Sequence, residues 1–373
     1  MADWKGPRYD AGWLYRRIKW GTWDELALYD NIESASINRS AFDTLKTSGS
    51  LKYFGTAPDE IDALALIYTF RDRNGETVEQ RRATVLVESD EPDYTSLDGG
   101  GVRQSGTAKL YSLLKVLSDT KLKVPYTVVA GTNAIAAANK IITGVGLRTN
   151  CQSSGYLLSC DHTFAPDDTL LDVVNYLLDA AGYGSADTDA YGTVILKPYV
   201  EPTARELAWT FANDETSTLM PGIESENDWR NTPNIVVLTY ETDNETLVAQ
   251  ARNIDPESRA SLPSRSWREN STVEQVSELD GETQEERLEN LKALARKKLL
   301  DGSSEIQYTK VKTLLVPVEI NDAAGVLYSG LKRQGAITSI DTSCTPTAES
   351  NVKIREFIRR DLLVDVTGQA IAA

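Results

Sequence analysis

At 373 residues with a formal net charge of −16, the chain can bury about 75% of its unfolded surface and exceeds one ordinary core, so two or three domains are expected. The acid excess argues against a grip on duplex DNA, which needs clustered Lys and Arg, while 41% hydrophobic and 25% charged residues suit a soluble globular protein. No apolar run reaches the length of a membrane span, the opening Met-Ala-Asp-Trp-Lys-Gly lacks a leader's apolar core, and Cys151, Cys160 and Cys344 make neither a disulfide framework nor a CxxC pair.

The expectation is therefore a chain folded in a cytoplasm with reduced thiols, although Cys151 and Cys160 are spaced to pair across a short hairpin. Aromatics crowd the start (Trp4, Tyr9, Trp13, Tyr15, Trp20, Trp23), interleaved with Arg16, Arg17 and Lys19. Such a set serves single-strand nucleic-acid stacking, a barrel core or a partner interface. Contiguous in water, it would be too apolar to stay uncovered, which predicts an interface. Ser34 to Tyr53 reads as polar strands around Gly49. Ile61 to Phe70 is a continuous β-prone run that meets Thr77 to Glu88 across Asn74-Gly75, a hairpin signal because both residues accept positive φ.

Asp90 to Ser105, with Glu91-Pro92-Asp93 and Gly99-Gly100-Gly101, reads as a linker or long surface loop. Beyond it the hydrophobic period changes from two to 3.6. Leu110, Leu113, Leu114 and Leu117 predict a helix from near Thr107; a second follows Asn133, with Ile135, Ala138 and Ile142 on one side. A third spans Asp167 to Ala181 on a stripe of Leu170, Leu171, Val174, Leu177 and Leu178, with Gly182 suited to the left-handed stop. Residues 101–150 hold seven basic residues against the single acid Asp119, a net +6, and residues 151–200 a net −6. The two blocks either balance within one domain or dock on a neighbouring copy.

The strongest strand punctuation lies between Asp189 and Asn234. A β-rich run, Tyr191 to Leu196, is closed by Pro198 and Pro202, and another strand opens after Pro233-Asn234. Thr242-Asp243-Asn244 signals a hairpin, Arg252 to Ser271 a loop, and Thr283 with Glu286 the capping box of a helix striped by Leu288, Leu291, Leu294, Ala295 and Leu299. Strand-like Ile306 to Val318 and Gly335 to Ile340 follow, and Asn351 to Asp365 is a closing strand or short helix. The strand–turn–strand layouts of 34–88 and 234–345 predict two related β-domains. The fold class is α+β, mainly β: two barrel-like β-domains (1–105 and 201–373) with a small α/β domain (106–200) between them.

Catalytic chemistry finds little to build on. His162 is the single histidine, and although Ser185 or Cys160 might be set beside it, neither lies in a G-x-S-x-G elbow. One His with three dispersed Cys has no zinc spacing, and Asp187-Thr-Asp189-Ala-Tyr-Gly192 lacks the twelfth-position Glu of a calcium loop and reads as a turn. The triple glycine has no following Gly-Lys-Ser/Thr, and a carboxylate pair such as Asp214 with Glu224 cannot be placed across a cleft from sequence. No catalytic, cofactor-binding or metal-ligating residue is assigned.

Several segments, in this order, resemble the tail-hub (baseplate-hub) proteins of tailed bacteriophages and related injection machines. They are Ser48-Gly-Ser-Leu51, Leu177-Leu-Asp-Ala-Ala-Gly-Tyr183, Asp189-Ala-Tyr-Gly192 with Lys197-Pro-Tyr199 and Glu201-Pro-Thr203, then Pro233-Asn-Ile-Val-Val237. Ala251-Arg-Asn-Ile-Asp-Pro-Glu-Ser258 with Ser261, and Val316-Pro-Val-Glu-Ile-Asn-Asp322, complete the set. The resemblance implies a structural, non-enzymatic protein of the virion tail tip. Three copies would form a ring of six similar barrels, joining the six-fold tail tube or distal tail protein to a three-fold fibre, spike or tip protein. The tape measure protein is a further partner, and DNA would pass only in transit through the lumen. A C-terminal lytic or cell-binding domain is not expected. The alternatives are a carbohydrate-binding tail-tip module and a peptidoglycan hydrolase.

Overall fold

The computed structural model describes residues 3–89, 92–96, 102–200, 204–214, 218–227, 231–242, 245–276, 279, 283–303, 307–356 and 362–371. The triple glycine and Glu201-Pro-Thr203 lie outside them. The fold is α+β and mainly β, and the chain divides into two compact units, Met1–Gly222 with Val311–Ile354 and Ile223–Lys310 with Arg355–Ala373.

The first unit opens with β1 (Tyr9–Ile18), β2 (Glu25–Tyr29), β3 (Ile32–Ser40), β4 (Thr47–Phe54), β5 (Ala63–Arg71), β6 (Thr77–Ser89), β7 (Asp93–Ser96) and β8 (Val102–Ser112). Their order in the sheet is β3-β4-β8-β6-β5-β1-β2, antiparallel throughout, with β7 on the flank of β8. The Asn74-Gly75 turn joins β5 to β6 as expected, with Arg71 opposite Thr77 and Gly75 at φ +82°. Strand β5 is apolar from Ala63 to Tyr68 because both its faces are covered there. Ala63, Ala65 and Ile67 point into one core with the helices that follow, while Leu64 and Leu66 point into another with Leu51, Tyr53 and Val85.

Two expectations fail in this region. Thr107 to Ser112 is strand, not helix, and the helix is the short α1 (Lys115–Asp119). The four leucines stand at helical spacing but serve two cores: Leu110 lies under the sheet with Ala108, whereas Leu113, Leu114 and Leu117 enter the helical core. Strand β8 thus runs through residue 105, where the change of period suggested a boundary. The N-terminal aromatics are not an uncovered patch either. Trp4 is buried edge-on against Phe70 at 5.0 Å, Tyr15 sits in the sheet core, and Trp13 packs on Tyr68 at 5.3 Å and donates from Nε1 to the Thr345 carbonyl at 2.9 Å. Trp20 and Trp23 lie 5.2 Å apart against the helical core. Folding back on their own unit covers most of this surface, with Tyr9 left 53% exposed.

The helical part continues with β9 (Tyr126–Val128), α2 (Ala134–Gly144), β10 (Thr149–Cys151), β11 (His162–Phe164), α3 (Leu170–Ala180), β12 (Asp187–Thr188) and β13 (Val194–Leu196). Asn133 caps α2, its side chain accepting from Ala136 N at 2.9 Å. Thr169 and Asp172 form a capping box on α3, and Gly182 follows at φ +71°. The α2 and α3 stripes bury Ile135, Ala138, Ile142, Leu171, Val174, Leu177 and Leu178 against Val194 and Leu196. Each large aliphatic side chain removed from water there contributes about 1.5–3 kcal/mol. Strand β13 pairs parallel with β10 and antiparallel with β12.

The remaining elements are β14 (Leu207–Ala212), β15 (Leu219–Asn227), β16 (Ile235–Thr242), β17 (Glu245–Asn253), β18 (Ser271–Val276), α4 (Gln284–Ser303), β19 (Gln307–Leu314), β20 (Ala323–Tyr328), β21 (Leu331–Ser343), β22 (Glu349–Glu356) and β23 (Val364–Ile371). In the first unit β21 pairs with β3, Ser339 opposite Ser40, and with β20, which takes β14 in parallel. In the second unit α4 covers a sheet ordered β18-β16-β17-β23, and Leu291, Ala295 and Leu299 meet Leu238, Leu247 and Ala249. Thr283 and Glu286 exchange the expected capping bonds. Residues 243 and 244, the expected turn, fall outside the described residues, but Thr242 pairs with Glu245. One end of this sheet is tied by asparagines: Asn253 N donates to the Asn234 carbonyl at 2.9 Å and Asn270 N to Asn234 Oδ1 at 2.8 Å.

The expected likeness between 34–88 and 234–345 is not met. The first segment follows one path, β3-β4 and β6-β5 with β8 between, whereas the second is split between the two units and two sheets. Similar strand–turn–strand spacing records local hairpins and says nothing about which sheet each hairpin joins. No sheet closes into a barrel among the described residues.

Candidate functional site

The turn Asp189–Thr193 organises the most heavily bonded polar region of the first unit. Asp189 Oδ1 accepts from Tyr191 N at 2.9 Å and Thr193 N at 2.8 Å, which satisfies the carboxylate within the turn. Gly192 sits at φ +77°, and a Cβ there would collide with Leu113 Cδ1 and lie 3.3 Å from Thr84 Cβ. The turn is held from outside through its carbonyls. Thr84 on β6 donates to Ala190 O at 2.8 Å, and Arg148 donates to Tyr191 O at 2.6 Å. Arg81 lies 4.8 Å over the Tyr191 ring.

Strand β12 is attached by charge. Arg39 on β3 places Nη2 3.3 Å from Asp187 Oδ2 and from the Thr188 carbonyl, and pairs through Nη1 with Glu319. Arg82, itself buried, reaches Glu319 Oε1 at 3.4 Å and donates to Val318 O at 3.0 Å. Lys46 Nζ donates to Ser185 O at 3.3 Å. Across from these groups Arg205 holds the carbonyls of Val200 and Asn321, and Asp322 Oδ2 accepts from Glu319 N at 2.8 Å. Together they surround a cleft of about 700 Å³ with Tyr191 and Tyr199 in its lining. Burial pushes the Asp187 carboxyl up against the pull of Arg39 and Lys46, pushes Asp322 up, and pulls the Lys46 ammonium down.

Among the described residues of this region no nucleophile stands beside a base. His162 stacks on Tyr176 at 3.9 Å with 17° between the rings and meets Phe164 edge-on at 4.6 Å. Ser185 contributes its backbone carbonyl to Lys46. Cys151, Cys160 and Cys344 are free thiols. Asp214 and Glu224 are exposed and belong to different compact units. Asp187 and Asp189 are spent on Arg39 and on the turn, and among the described residues no group of three or more His, Cys, Asp or Glu is placed to hold a metal ion. No described helix is long and apolar enough to cross a membrane. Among the described residues, one ion pair joins the basic and acidic blocks, Lys121 with Asp167 at 3.5 Å. Arg39, Lys46, Arg82 and Glu319 escaped the sequence reading. For the three cations the one local signal is a charge inside or beside an otherwise alternating strand, and the partners lie more than a hundred residues away for Arg39 with Asp187 and Arg82 with Val318.

The chain is similar in structure to a tail protein from Neisseria meningitidis MC58, with a TM-score of 0.61 and 13% identity over 92% of this chain and 97% of that one. It is also similar to the 43 kDa tail protein of prophage MuSo2 from Shewanella oneidensis, with a TM-score of 0.60 and 11% identity over 94% and 98%. The prophage tail protein gp18 from Listeria monocytogenes EGD-e gives 0.50 and 11% over 93% and 95%. No family model and no curated protein matches the chain. The chain has the fold of phage tail proteins, the class to which the tail-hub resemblance pointed.

Proposed function

We propose that this chain is a structural hub protein of a phage-type tail, without enzymatic activity of its own, positioned at the tail tip. The observation that carries this reading is end-to-end similarity. Two tail proteins are matched over 97% and 98% of their own lengths, so nearly their whole architecture is shared. The docking of β12 and β13 on the sheet by Arg39, Lys46 and Thr84 suits a part that transmits load.

The assembly is a homotrimer, coaxial with the tail tube or distal tail protein above and a fibre, spike or tip protein below, with DNA passing in transit. The copy number of three rests on the tail-hub resemblance, since 34–88 and 234–345 do not supply two matching barrels. Native mass spectrometry of the purified chain, together with imaging of intact tails, tests this. Three copies around the tail axis are expected; a strict monomer in the particle, or six copies, overturns it. Zymograms on peptidoglycan should show no cleared band, and a band that survives purification from contaminating hydrolases would refute the non-enzymatic reading.

A further inference from the structure

The cleft beside β12 and β13 has an imbalance in its unused hydrogen-bonding groups. Its acids are committed: Asp187 to Arg39 and Thr188 N, Asp189 to its turn, Glu319 to Arg39 and Arg82, and Asp322 to Glu319 N. Of its cations, Arg39 and Arg205 are bonded, while two lysines are not fully used. Lys46 is only 6% exposed, lines the cleft, and has among the described residues a single hydrogen bond, to Ser185 O, leaving two ammonium protons unused. Lys197 makes no hydrogen bond or ion pair among the described residues, and its charge is felt by Asp322. A buried ammonium with donors to spare at Lys46 and an exposed, unpaired one at Lys197 favour an acceptor-rich, negatively charged occupant.

The lining also carries a flat apolar element. Tyr199 is 58% exposed and Tyr191 59%; the Arg81 guanidinium lies 4.8 Å from the Tyr191 ring centre, so Tyr199 is the platform without a cation beside it among the described residues. An aromatic ring of this kind packs on the apolar face of a pyranose while its hydroxyl stays wet. The volume of about 700 Å³ falls in the range of small-ligand sites and accommodates an oligosaccharide of a few rings. We propose that this cleft binds a carboxylate-bearing oligosaccharide, its carboxylates meeting Lys46 and Lys197 and one sugar ring lying on Tyr199. A bare anion leaves the tyrosines unused and a neutral glycan leaves the ammonium groups unused, so the two features together select the acidic sugar. The site is independent of the tail-hub reading, which stands or falls on the copy number in tails.

The test uses the full chain with trigalacturonate, maltotriose, inorganic phosphate and a penta-glutamate peptide as probes, read by isothermal calorimetry and saturation-transfer difference NMR. Trigalacturonate should bind saturably and at least about tenfold more tightly than the other three, as one charged hydrogen bond in a partly dry site implies. Tyr199→Ala and Lys197→Ser change exposed positions and should leave the fold intact while weakening trigalacturonate about five- to tenfold each. Lys46→Met should abolish binding. Absence of trigalacturonate binding, equal binding of phosphate or maltotriose, indifference of binding to both surface variants, or a preference for the peptide would each overturn the assignment, the last in favour of a protein partner.

Discussion

The Thr84 hydroxyl donates to the Ala190 carbonyl at 2.8 Å, so the long strand β6 grips the turn between β12 and β13 through its backbone. That turn tolerates little change. Gly192 follows Ala190 by two residues at φ +77° and is packed on Thr84 and Leu113. Gly192→Ala should lower stability by about 2–3 kcal/mol, strain and crowding adding, while Thr84→Val should lower it by about 1 kcal/mol. Thermal unfolding by circular dichroism checks both, and a Gly192→Ala protein as stable as the parent would contradict the described turn.

Breaking the ionic attachment of β12 should cost more than removing it whole. Arg39→Met leaves Asp187 without its cation and should destabilise by about 3 kcal/mol, below the upper end for buried pairs because Glu319 is partly exposed. Adding Asp187→Asn to Arg39→Met should recover part of the loss. A double-mutant cycle in urea measures the coupling, and strict additivity would show that the pair does not interact.

Lys46 gives the stability curve a slope with a fixed sign. Burial pulls its ammonium below the ordinary lysine range, so the unfolded chain holds more protons between the lowered value and the ordinary one. Stability should therefore rise as pH climbs through that window, and the contribution should vanish in Lys46→Met. Denaturant midpoints taken from neutral pH to the ordinary lysine range test this; identical slopes for parent and variant would be the contrary result.

The three thiols should separate by reactivity. Cys344 is buried and its thiol is pushed strongly up, whereas Cys151 and Cys160 are exposed, with Cys151 raised by partial burial. Iodoacetamide on the native protein should modify Cys151 and Cys160 and spare Cys344, and in urea all three should react. Native labelling of Cys344 at the rate of Cys160 would place it outside the sheet core.

Trp4 now predicts a stability effect. Its ring is buried on Phe70, with the Arg8 guanidinium 5.4 Å from its centre. Trp4→Ala should cost about 3–5 kcal/mol of stability in the isolated chain. If instead the isolated chain keeps its melting temperature and only tail assembly suffers, the aromatic segment is an interface after all.

What could be read from the sequence was what local chemistry decides. Asn133, Thr169 with Asp172, and Thr283 with Glu286 cap helices within a turn of themselves, and Asn74-Gly75 turns β5 into β6; spacing alone reveals such features. Leu110 to Leu117 misled because a strand followed by a single helical turn imitates helical period when its leucines feed two cores. The cleft was unreadable for a different reason. Arg39 meets Glu319 where the β3–β21 pairing brings the chain around β20 and β21 beside β3, and meets Asp187 where β12 docks on the sheet, and no spacing along the chain encodes either approach.

The side chains that seat β12, β13 and the loops beside them bond mainly to backbone oxygen: Arg39 to Thr188, Lys46 to Ser185, Thr84 to Ala190, Arg148 to Tyr191 and Arg82 to Val318. A carbonyl is present whatever residue carries it. Mutations at 185, 188, 190, 191 or 318 therefore leave the acceptor in place as long as the backbone path holds. Substitutions on the held side of such a joint should cost less stability than substitutions of the side chains that do the holding.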